Sequence, residues 1–236
     1  MGNVSFSVED LFSRWASVGV FVLGEIHPYE DPEVLLVDTL VNIESEGRFL
    51  GIIVSWLAQC GHLLLTKKLR FPTTRERRLF AAIIEESRTK ERKLLRMVQK
   101  HRTRDVEYLY RNDLDVLRRV AKTDPNPRFL KHGFILKDFA LLRPEKIILP
   151  PTGVYERSAI LRNRALYGVS LRSDLLTILP EASGQSVRQL AHRLHVAPPT
   201  LSRIVADYER SGLVEWTRKG PVSSVRWCGP TLSKAA

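Results

Sequence analysis

The chain has 236 residues, which is enough for one large domain or two small ones, each with a hydrophobic core. Its 44% hydrophobic and 27% charged residues are typical of a soluble globular protein, and no apolar run reaches the roughly 18 residues that a membrane span needs, so no membrane association is expected. The formal net charge of +11 indicates a polyanionic partner.

The N-terminus and the cysteines bear on the cellular compartment. Glu9 and Asp10 stand where a signal peptide would carry positive charge, so we expect no signal peptide. Cys60 and Cys228 lie far apart and lack the spacing of a zinc site, which excludes a disulfide framework and favours a reducing compartment. These features predict a cytoplasmic protein.

Charge is unevenly distributed along the chain. Residues 1–66 contain two basic and nine acidic side chains, whereas residues 67–119 contain seventeen basic and eight acidic ones. Residues 161–236 contain eleven basic and five acidic side chains. An acidic first part followed by a basic remainder suggests that the two ends of the chain have different roles.

The first 125 residues are predicted to be mainly helical, from apolar residues at helical spacing. The predicted helices are Val8–Ala16, one that begins at Pro32 with Asp31 as its cap, Arg48–Gln59, one from Thr73 or Thr74 to about Lys100, and Asp105–Ala121. Residues 85–93 are entirely polar, so the fourth stretch is either two helices or one that projects into solvent.

Other segments of this part are predicted to be non-helical. The compact apolar run Val18–Leu23 is typical of a buried strand, and Gly24–Pro32, with its two prolines, is typical of a loop. We expect His62–Leu69 to be a strand or an extended segment. Residues 128–155 contain short apolar runs and turn residues, and only a loose assignment is made for them.

The basic stretch from Lys67 to Arg119 has two interpretations. Its arginines and lysines could form a helix surface that faces nucleic acid. They could also be a solvated helix face with i,i+4 ion pairs such as Glu86–Lys90, which is common and is slightly favoured here.

The last third of the chain divides into short helices and a hairpin. Leu171–Leu179 is a predicted helix, Ser186 caps a second one, and Pro198 begins a third that ends at Gly212. Two strands follow, Leu213–Thr217 and Val222–Trp227, joined by a tight basic turn at residues 218–221.

The stretch SVRQLAHRLHVAPPTLSRIVADYERSGLVEW, followed by this basic hairpin, resembles the winged helix-turn-helix of MarR-like and ArsR-like bacterial transcription regulators. The resemblance covers about 65 residues, under a third of the chain, and Leu161–Val169 resembles the lead-in helix of some such proteins. One departure is Ala197, where such domains often place a serine that caps the recognition helix.

The resemblance implies a set of residues that contact duplex DNA. The start of a recognition helix meets base edges in the major groove, and Arg203 is the candidate for a bidentate contact to guanine. The other candidates are Pro199, Thr200 and Ser202 on the same helix, Arg218 and Lys219 at the wing, and Arg188 and Arg193 as phosphate clamps on the second helix.

No catalytic, metal or cofactor site is predicted. His27 with Glu25, Glu30 and Asp31 matches no ligand spacing, so a flexible acidic loop is the favoured interpretation. The sequence has no glycine-rich phosphate loop and no hydrolase or zinc-peptidase motif. Cys60 lies on an apolar face beside Trp56, which is typical of a packed core thiol.

The sequence thus predicts a mainly α protein with a small β wing. A helical domain at residues 1–160 serves dimerisation, sensing or partner binding, and a winged helix at residues 161–230 binds DNA. The first hypothesis is a transcription regulator that reads double-stranded DNA as a homodimer and is not an enzyme. The alternative is an adaptor or antitoxin-like protein whose residues 1–160 bind another protein, with DNA binding secondary or absent.

Overall fold

The structure is a computed structural model that describes residues 6–98, 103, 105–110, 119, 121–219 and 222–229, with Lys219 and Val222 described by their backbone alone. The chain divides into two compact units, Met1–Leu161 and Arg162–Ala236, called here the N-terminal and the C-terminal unit. The protein is mainly helical and has a small antiparallel sheet near its C-terminus.

The N-terminal unit is built from short helices. They are α1 (Val8–Ser17), α2 (Pro32–Val41), α3 (Arg48–Cys60), α4 (Thr74–Ser87), α5 (Arg92–Val98), α6 (Pro127–Lys131), α7 (Pro144–Ile147) and α8 (Pro151–Arg157), and α9 (Ala159–Tyr167) spans the point where the two units divide. The predicted beginnings of α2 and α4 are confirmed. The Asp31 side chain accepts hydrogen bonds from the first backbone amides of α2, and Thr73 forms a capping box with Glu76 at α4.

The core of the N-terminal unit surrounds α3, whose Trp56 is fully buried. Trp56 packs edge-on against Trp15 of α1, with their ring centroids 5.9 Å apart. Both indole N–H groups find acceptors: Trp15 donates to Thr39 Oγ1 at 2.9 Å and Trp56 to the Val18 carbonyl at 3.0 Å. A buried indole needs such a partner, so these bonds fix how α1, α2 and α3 pack together.

The prediction of a buried strand at Val18–Leu23 is wrong. Gly19 has a φ of +92°, which turns the chain directly after α1, and only Val20 forms a bridge, to Ile148. Phe21 and Leu23 are 70% and 97% exposed, so the apolar run does not enter the core as a unit.

The expected strand or extended segment at His62–Leu69 is also wrong. It forms two short 3-10 turns, Gly61–Leu63 and Thr66–Lys68. Glu33 of α2 accepts a hydrogen bond from the Leu65 amide at 2.6 Å, and the buried Lys68 ammonium pairs with Asp31. These tertiary contacts hold a conformation that the local sequence does not specify.

The long basic stretch is interrupted. Arg88 adopts a left-handed conformation with φ +54° and ends α4, so this stretch forms two helices, α4 and α5, and not one helix that projects into solvent.

The prediction of a helix at Asp105–Ala121 is wrong for its first residues. Glu107–Tyr108 forms β1, which pairs in parallel with β2 (Phe134–Ile135). Residues 111–118 of that predicted helix lie outside the described residues.

The C-terminal unit contains the predicted succession of helices and strands. After α9 come α10 (Leu171–Ile178), α11 (Val187–Arg193), α12 (Pro198–Arg210), β3 (Val214–Lys219) and β4 (Val222–Trp227). The two strands pair in antiparallel register from Val214 opposite Trp227 to Lys219 opposite Val222. Strand β3 begins one residue later and ends two residues later than predicted, so Arg218 and Lys219 belong to the strand.

The core of the C-terminal unit receives side chains from every one of these elements except α9. Leu175, Leu190, Leu201, Val205 and Val225 are fully buried. Arg164 and Asp174 form a buried ion pair between α9 and α10. In the described parts of both units, none of the helices has the length and apolar character required to cross a membrane.

Candidate nucleic-acid interface

Helix α12 presents one side to the core and the other to solvent. Leu201, Ile204, Val205 and Tyr208 are buried, at the spacing of one helix face. The Tyr208 hydroxyl donates a hydrogen bond of 2.7 Å to the Arg172 carbonyl and so attaches α12 to α10. The opposite face, which includes Arg203, is therefore held outward by packing on two neighbouring elements, α10 and the hairpin.

The N-terminus of α12 has an unusual hydrogen-bonding pattern. Ala197 is the N-cap, so no side chain caps the helix. Pro198 and Pro199 have no N–H, and the Thr200 and Leu201 amides both donate to the Ala197 carbonyl, at 3.0 and 3.3 Å. Helix N-termini usually bind phosphate through unpaired N–H groups, and this turn offers none. Its exposed surface is instead apolar.

The predicted base-reading residues lie together on the first turns of α12. Pro199, Thr200 and Arg203 are exposed, and Ser202 is half-buried with its hydroxyl donating to the Pro198 carbonyl at 3.0 Å. Within the part of the chain that the structure describes, Arg203 has no carboxylate partner. Its guanidinium keeps all five donors for an external acceptor.

Helix α11 carries the two predicted phosphate clamps. Arg188 is exposed in its first turn, and none of the described carboxylates pairs with it. Arg193 is half-buried in its last turn, and its Nη2 lies 3.9 Å from Glu181 Oε2. The two clamps therefore differ, because Arg193 already interacts with an acidic side chain.

The hairpin arginine Arg218 is folded against the protein. Its guanidinium lies over the Trp216 ring at 4.0 Å and pairs with Glu209 of α12 at 2.6 Å. Arg218 and Trp216 share one face of β3, because alternate residues of a strand point to the same side. An external phosphate would compete with Glu209 for this arginine. The Lys219 side chain lies outside the described residues.

The acidic residues of this surface are paired with arginines. Asp207 is held between Arg172 and Arg210, and the hydrogen bond from Arg172 lowers the pKa of the Asp207 carboxyl. Glu215 of β3 pairs with Arg226 directly across the hairpin. These ion pairs offset the negative charge that would otherwise repel a polyanion.

Two arginines of the surface were not singled out from the sequence. Arg210 is 78% exposed and stands seven residues, two helical turns, after Arg203, so both lie on one face of α12. Arg172, at the start of α10, is 52% exposed. Arg210 could have been found from the sequence, because its spacing of seven residues from Arg203 places both on one helix face. The contribution of Arg172 depends on how α10 packs beside α12.

Candidate metal ligands in the N-terminal unit have structural partners. Glu30 pairs with Arg14 at 2.9 Å, Asp31 caps α2 and pairs with Lys68, and the His27 amide donates to Ser17 Oγ at 2.8 Å. Among the described residues no group of three or more histidine, cysteine, aspartate or glutamate side chains is placed to hold a metal ion.

The ion pair Glu86–Lys90 that was suggested for the basic stretch does not fit the fold. Helix α4 ends at Ser87, so the two residues do not share a helix. Glu86 is buried and accepts hydrogen bonds from Arg128 and Asn126, each at 3.2 Å.

Comparison of the chain with family models, with curated proteins and with solved structures finds no match. What α10, α11, α12 and the hairpin can do must therefore be inferred from their own geometry and charge.

Proposed function

We propose that the protein is a DNA-binding transcription regulator that reads duplex DNA through a winged helix-turn-helix formed by α10, α11, α12 and the β3–β4 hairpin. In this proposal α12 is the recognition helix and β3–β4 is the wing. A homodimer would place two recognition helices on a two-fold symmetric site.

The observation that carries the proposal is the position of Arg203. It is exposed in the second turn of a 13-residue helix whose other face is buried, and none of the described acidic side chains pairs with it. A helix of this length fits the major groove, and a free guanidinium near its start can form a bidentate contact with guanine. The neighbouring Pro199 and Thr200 offer apolar contacts to a thymine methyl group.

The charge of the C-terminal unit supports the same function. Residues 161–236 contain eleven basic side chains against five acidic ones, and Asp174 is buried in its pair with Arg164. The remaining acids include Asp207, Glu209 and Glu215, each of which is paired with an arginine. The surface around α12 is therefore suited to a polyanion.

The direct test is to select bound duplexes from random DNA with the full chain and to measure affinity for the selected and scrambled sequences by fluorescence anisotropy. We expect log affinity to fall linearly with log salt, with a slope near −0.9 per phosphate contact. Arg203→Ala should reduce the preference for the selected sequence by about fivefold to 150-fold, since a bidentate base contact discriminates by about 1–3 kcal/mol. Arg188→Ala should weaken binding to both sequences alike.

The matched control is Arg162→Ala, which removes an exposed arginine of the same unit outside α11, α12 and the hairpin. It should change affinity much less than Arg188→Ala. If no sequence is enriched and binding is insensitive to salt, the DNA proposal is wrong. A stoichiometric protein partner that co-purifies through the N-terminal unit would then favour the adaptor function.

A further inference from the structure

The N-terminal unit contains a cavity of about 440 Å³ that the DNA proposal does not use. Its walls come from α1, the turn after α1, the first turns of α3, the segment before α7 and α7 itself. This volume lies within the range of about 300–1,000 Å³ that is typical of small-molecule sites. The apolar part of the lining includes Phe12, Phe21, Ile52, Phe139, Leu141 and Ile147.

Aromatic side chains line the cavity and remain partly open to solvent. Phe21 is 70% exposed and Phe139 is 46% exposed, although both are large apolar residues. Phe12 packs against Phe49 with a centroid distance of 4.8 Å, so that its ring is fixed. Exposed aromatic rings around a concavity are typical of a surface that an apolar ligand covers.

The polar side chains among the described lining residues are cationic. Arg48, Arg143 and Lys146 contribute to the wall, and none of the described lining residues is an aspartate or glutamate. Arg143 and Lys146 are exposed, and their side chains pair with none of the described carboxylates. Arg48 lies over the Phe12 ring at 4.6 Å, which holds one positive charge against the aromatic wall. Its partner Glu46 does not line the cavity.

The walls are joined by backbone hydrogen bonds that give the cavity a fixed shape. The Phe21 amide donates to the Ile147 carbonyl at 2.6 Å, and the Leu149 amide to the Gly19 carbonyl at 2.8 Å. The Arg143 amide donates to Ser55 Oγ of α3 at 3.0 Å. The turn after α1 and the segment around α7 are therefore held to each other and to α3.

From this geometry we propose that the cavity binds a small amphipathic anion. The apolar or aromatic body of the ligand packs against Phe12, Phe21 and Phe139, and its carboxylate, sulfate or phosphate group pairs with Arg143 and Lys146. Charge complementarity identifies the ligand class, because a neutral apolar molecule would leave Arg143 and Lys146 without an anionic partner. The site lies wholly in the N-terminal unit, and its existence does not depend on DNA binding.

The test uses two fluorescent probes with the same aromatic rings, titrated into the full chain. 1-Anilinonaphthalene-8-sulfonate carries an anionic group, and N-phenyl-1-naphthylamine lacks it. We expect a single site that binds the anionic probe at least about fivefold more tightly. The double substitution Arg143→Gln/Lys146→Gln removes both positive charges. It should abolish the preference for the anionic probe and leave the affinity for the neutral probe unchanged.

A variant that fills the cavity provides an independent arm. A Cβ added at Gly51 would meet only the Leu141 carbonyl oxygen, at an ordinary distance of 3.7 Å, so a Cβ is tolerated at this lining position of α3. Gly51→Leu should reduce the affinity for both probes at least about tenfold, with an unchanged circular dichroism spectrum. The matched control for Arg143→Gln/Lys146→Gln is Lys67→Gln/Arg70→Gln, which removes one exposed lysine and one exposed arginine that do not line the cavity. It should leave the preference for the anionic probe unchanged.

Three results would overturn the proposal. Equal affinity of the wild-type chain for the two probes would show that the cations do not select an anion. Unchanged binding in Gly51→Leu would place the probes elsewhere. Loss of probe binding as the protein associates at higher concentration, measured by sedimentation, would show that a second copy of the chain covers this surface.

Discussion

Arg164 and Asp174 are joined by two parallel hydrogen bonds, from Nε to Oδ1 at 2.7 Å and from Nη2 to Oδ2 at 2.8 Å, and neither side chain is exposed. The pair links α9 to α10. A buried pair of this kind is not a large net source of stability, but removal of one partner leaves the other charge buried and uncompensated.

We therefore expect Asp174→Asn to destabilise the C-terminal unit by about 3–5 kcal/mol. Hydrogen exchange of the α10 amides, followed by mass spectrometry, measures the loss in that unit alone. Arg162→Ala removes an exposed arginine of α9, the helix that also carries Arg164, and should leave the exchange of the α10 amides nearly unchanged. The double replacement Arg164→Met/Asp174→Leu should recover much of the loss, and equal loss in the single and double variants would contradict this account of the pair.

Features of the fold that depend on neighbouring residues could be predicted from the sequence, whereas those that depend on distant contacts could not. Ser186 and Asp31 act through backbone amides two or three residues away, so their helix starts were readable locally. Lys68 is buried because it reaches Asp31, 37 residues earlier in the chain, and no local pattern contains that contact. The failed predictions at residues 18–23, 62–69 and 105–110 are of this second kind, since pairing with distant segments overrides the local preference.

The two helix starts of the helix-turn-helix provide a stability prediction. Ser186 forms a full capping box with Gln189 at α11, so Ser186→Ala should cost about 1 kcal/mol. At α12, Pro198 and Pro199 have no N–H, and the Thr200 amide already has an acceptor in the Ala197 carbonyl. Ala197→Ser should therefore change stability by less than about 0.5 kcal/mol, at the low end of the usual capping gain.

Urea unfolding of the full chain, with hydrogen exchange to assign the change to the C-terminal unit, measures both variants. Ser186→Ala removes one hydroxyl group and Ala197→Ser adds one, so the two substitutions serve as controls for each other. If Ala197→Ser stabilises the protein by as much as Ser186→Ala destabilises it, the start of α12 needs a side-chain cap and the two prolines do not replace it.

The two cysteines should differ in reactivity. Burial raises the pKa of the Cys60 thiol to about 12, so almost none of it is thiolate near pH 8, whereas Cys228 is exposed. We expect an aromatic disulfide reagent to modify one thiol per native chain at pH 8 and two after unfolding in guanidinium chloride. Cys228→Ser should abolish the native reaction. A second fast-reacting thiol in the native protein would mean that α3 opens readily to solvent.

The candidate site was only partly readable from the sequence. The exposure of Arg203 follows from the helical spacing of Leu201, Ile204 and Val205, which fixes the buried face of α12. The pair between Arg218 and Glu209 depends on how the hairpin returns to the end of α12, so the sequence predicts Arg218 as a DNA contact of the wing but does not predict its pair with Glu209. Side chains that point outward are therefore easier to predict from the sequence than the partners that they contact.

The Arg218–Glu209 pair leads to a prediction about DNA affinity that rests on the proposed function. Arg218 Nη2 lies 2.6 Å from Glu209 Oε2, so binding of Arg218 to a phosphate would first break this ion pair. Glu209→Gln removes the competing charge and leaves Arg218 stacked on Trp216, at 4.0 Å from the ring. Because an exposed ion pair is worth about 0–1 kcal/mol, we expect affinity to rise up to about fivefold at low salt.

The gain should be equal for selected and scrambled duplexes, since a phosphate contact carries no base information. It should disappear in Glu209→Gln/Arg218→Gln, which removes the proposed contact itself. Glu215→Gln is the matched control, because Glu215 pairs with Arg226 across the hairpin and leaves Arg218 engaged with Glu209. If Glu215→Gln raises affinity as much as Glu209→Gln, the effect reflects net charge alone and Arg218 makes no specific phosphate contact.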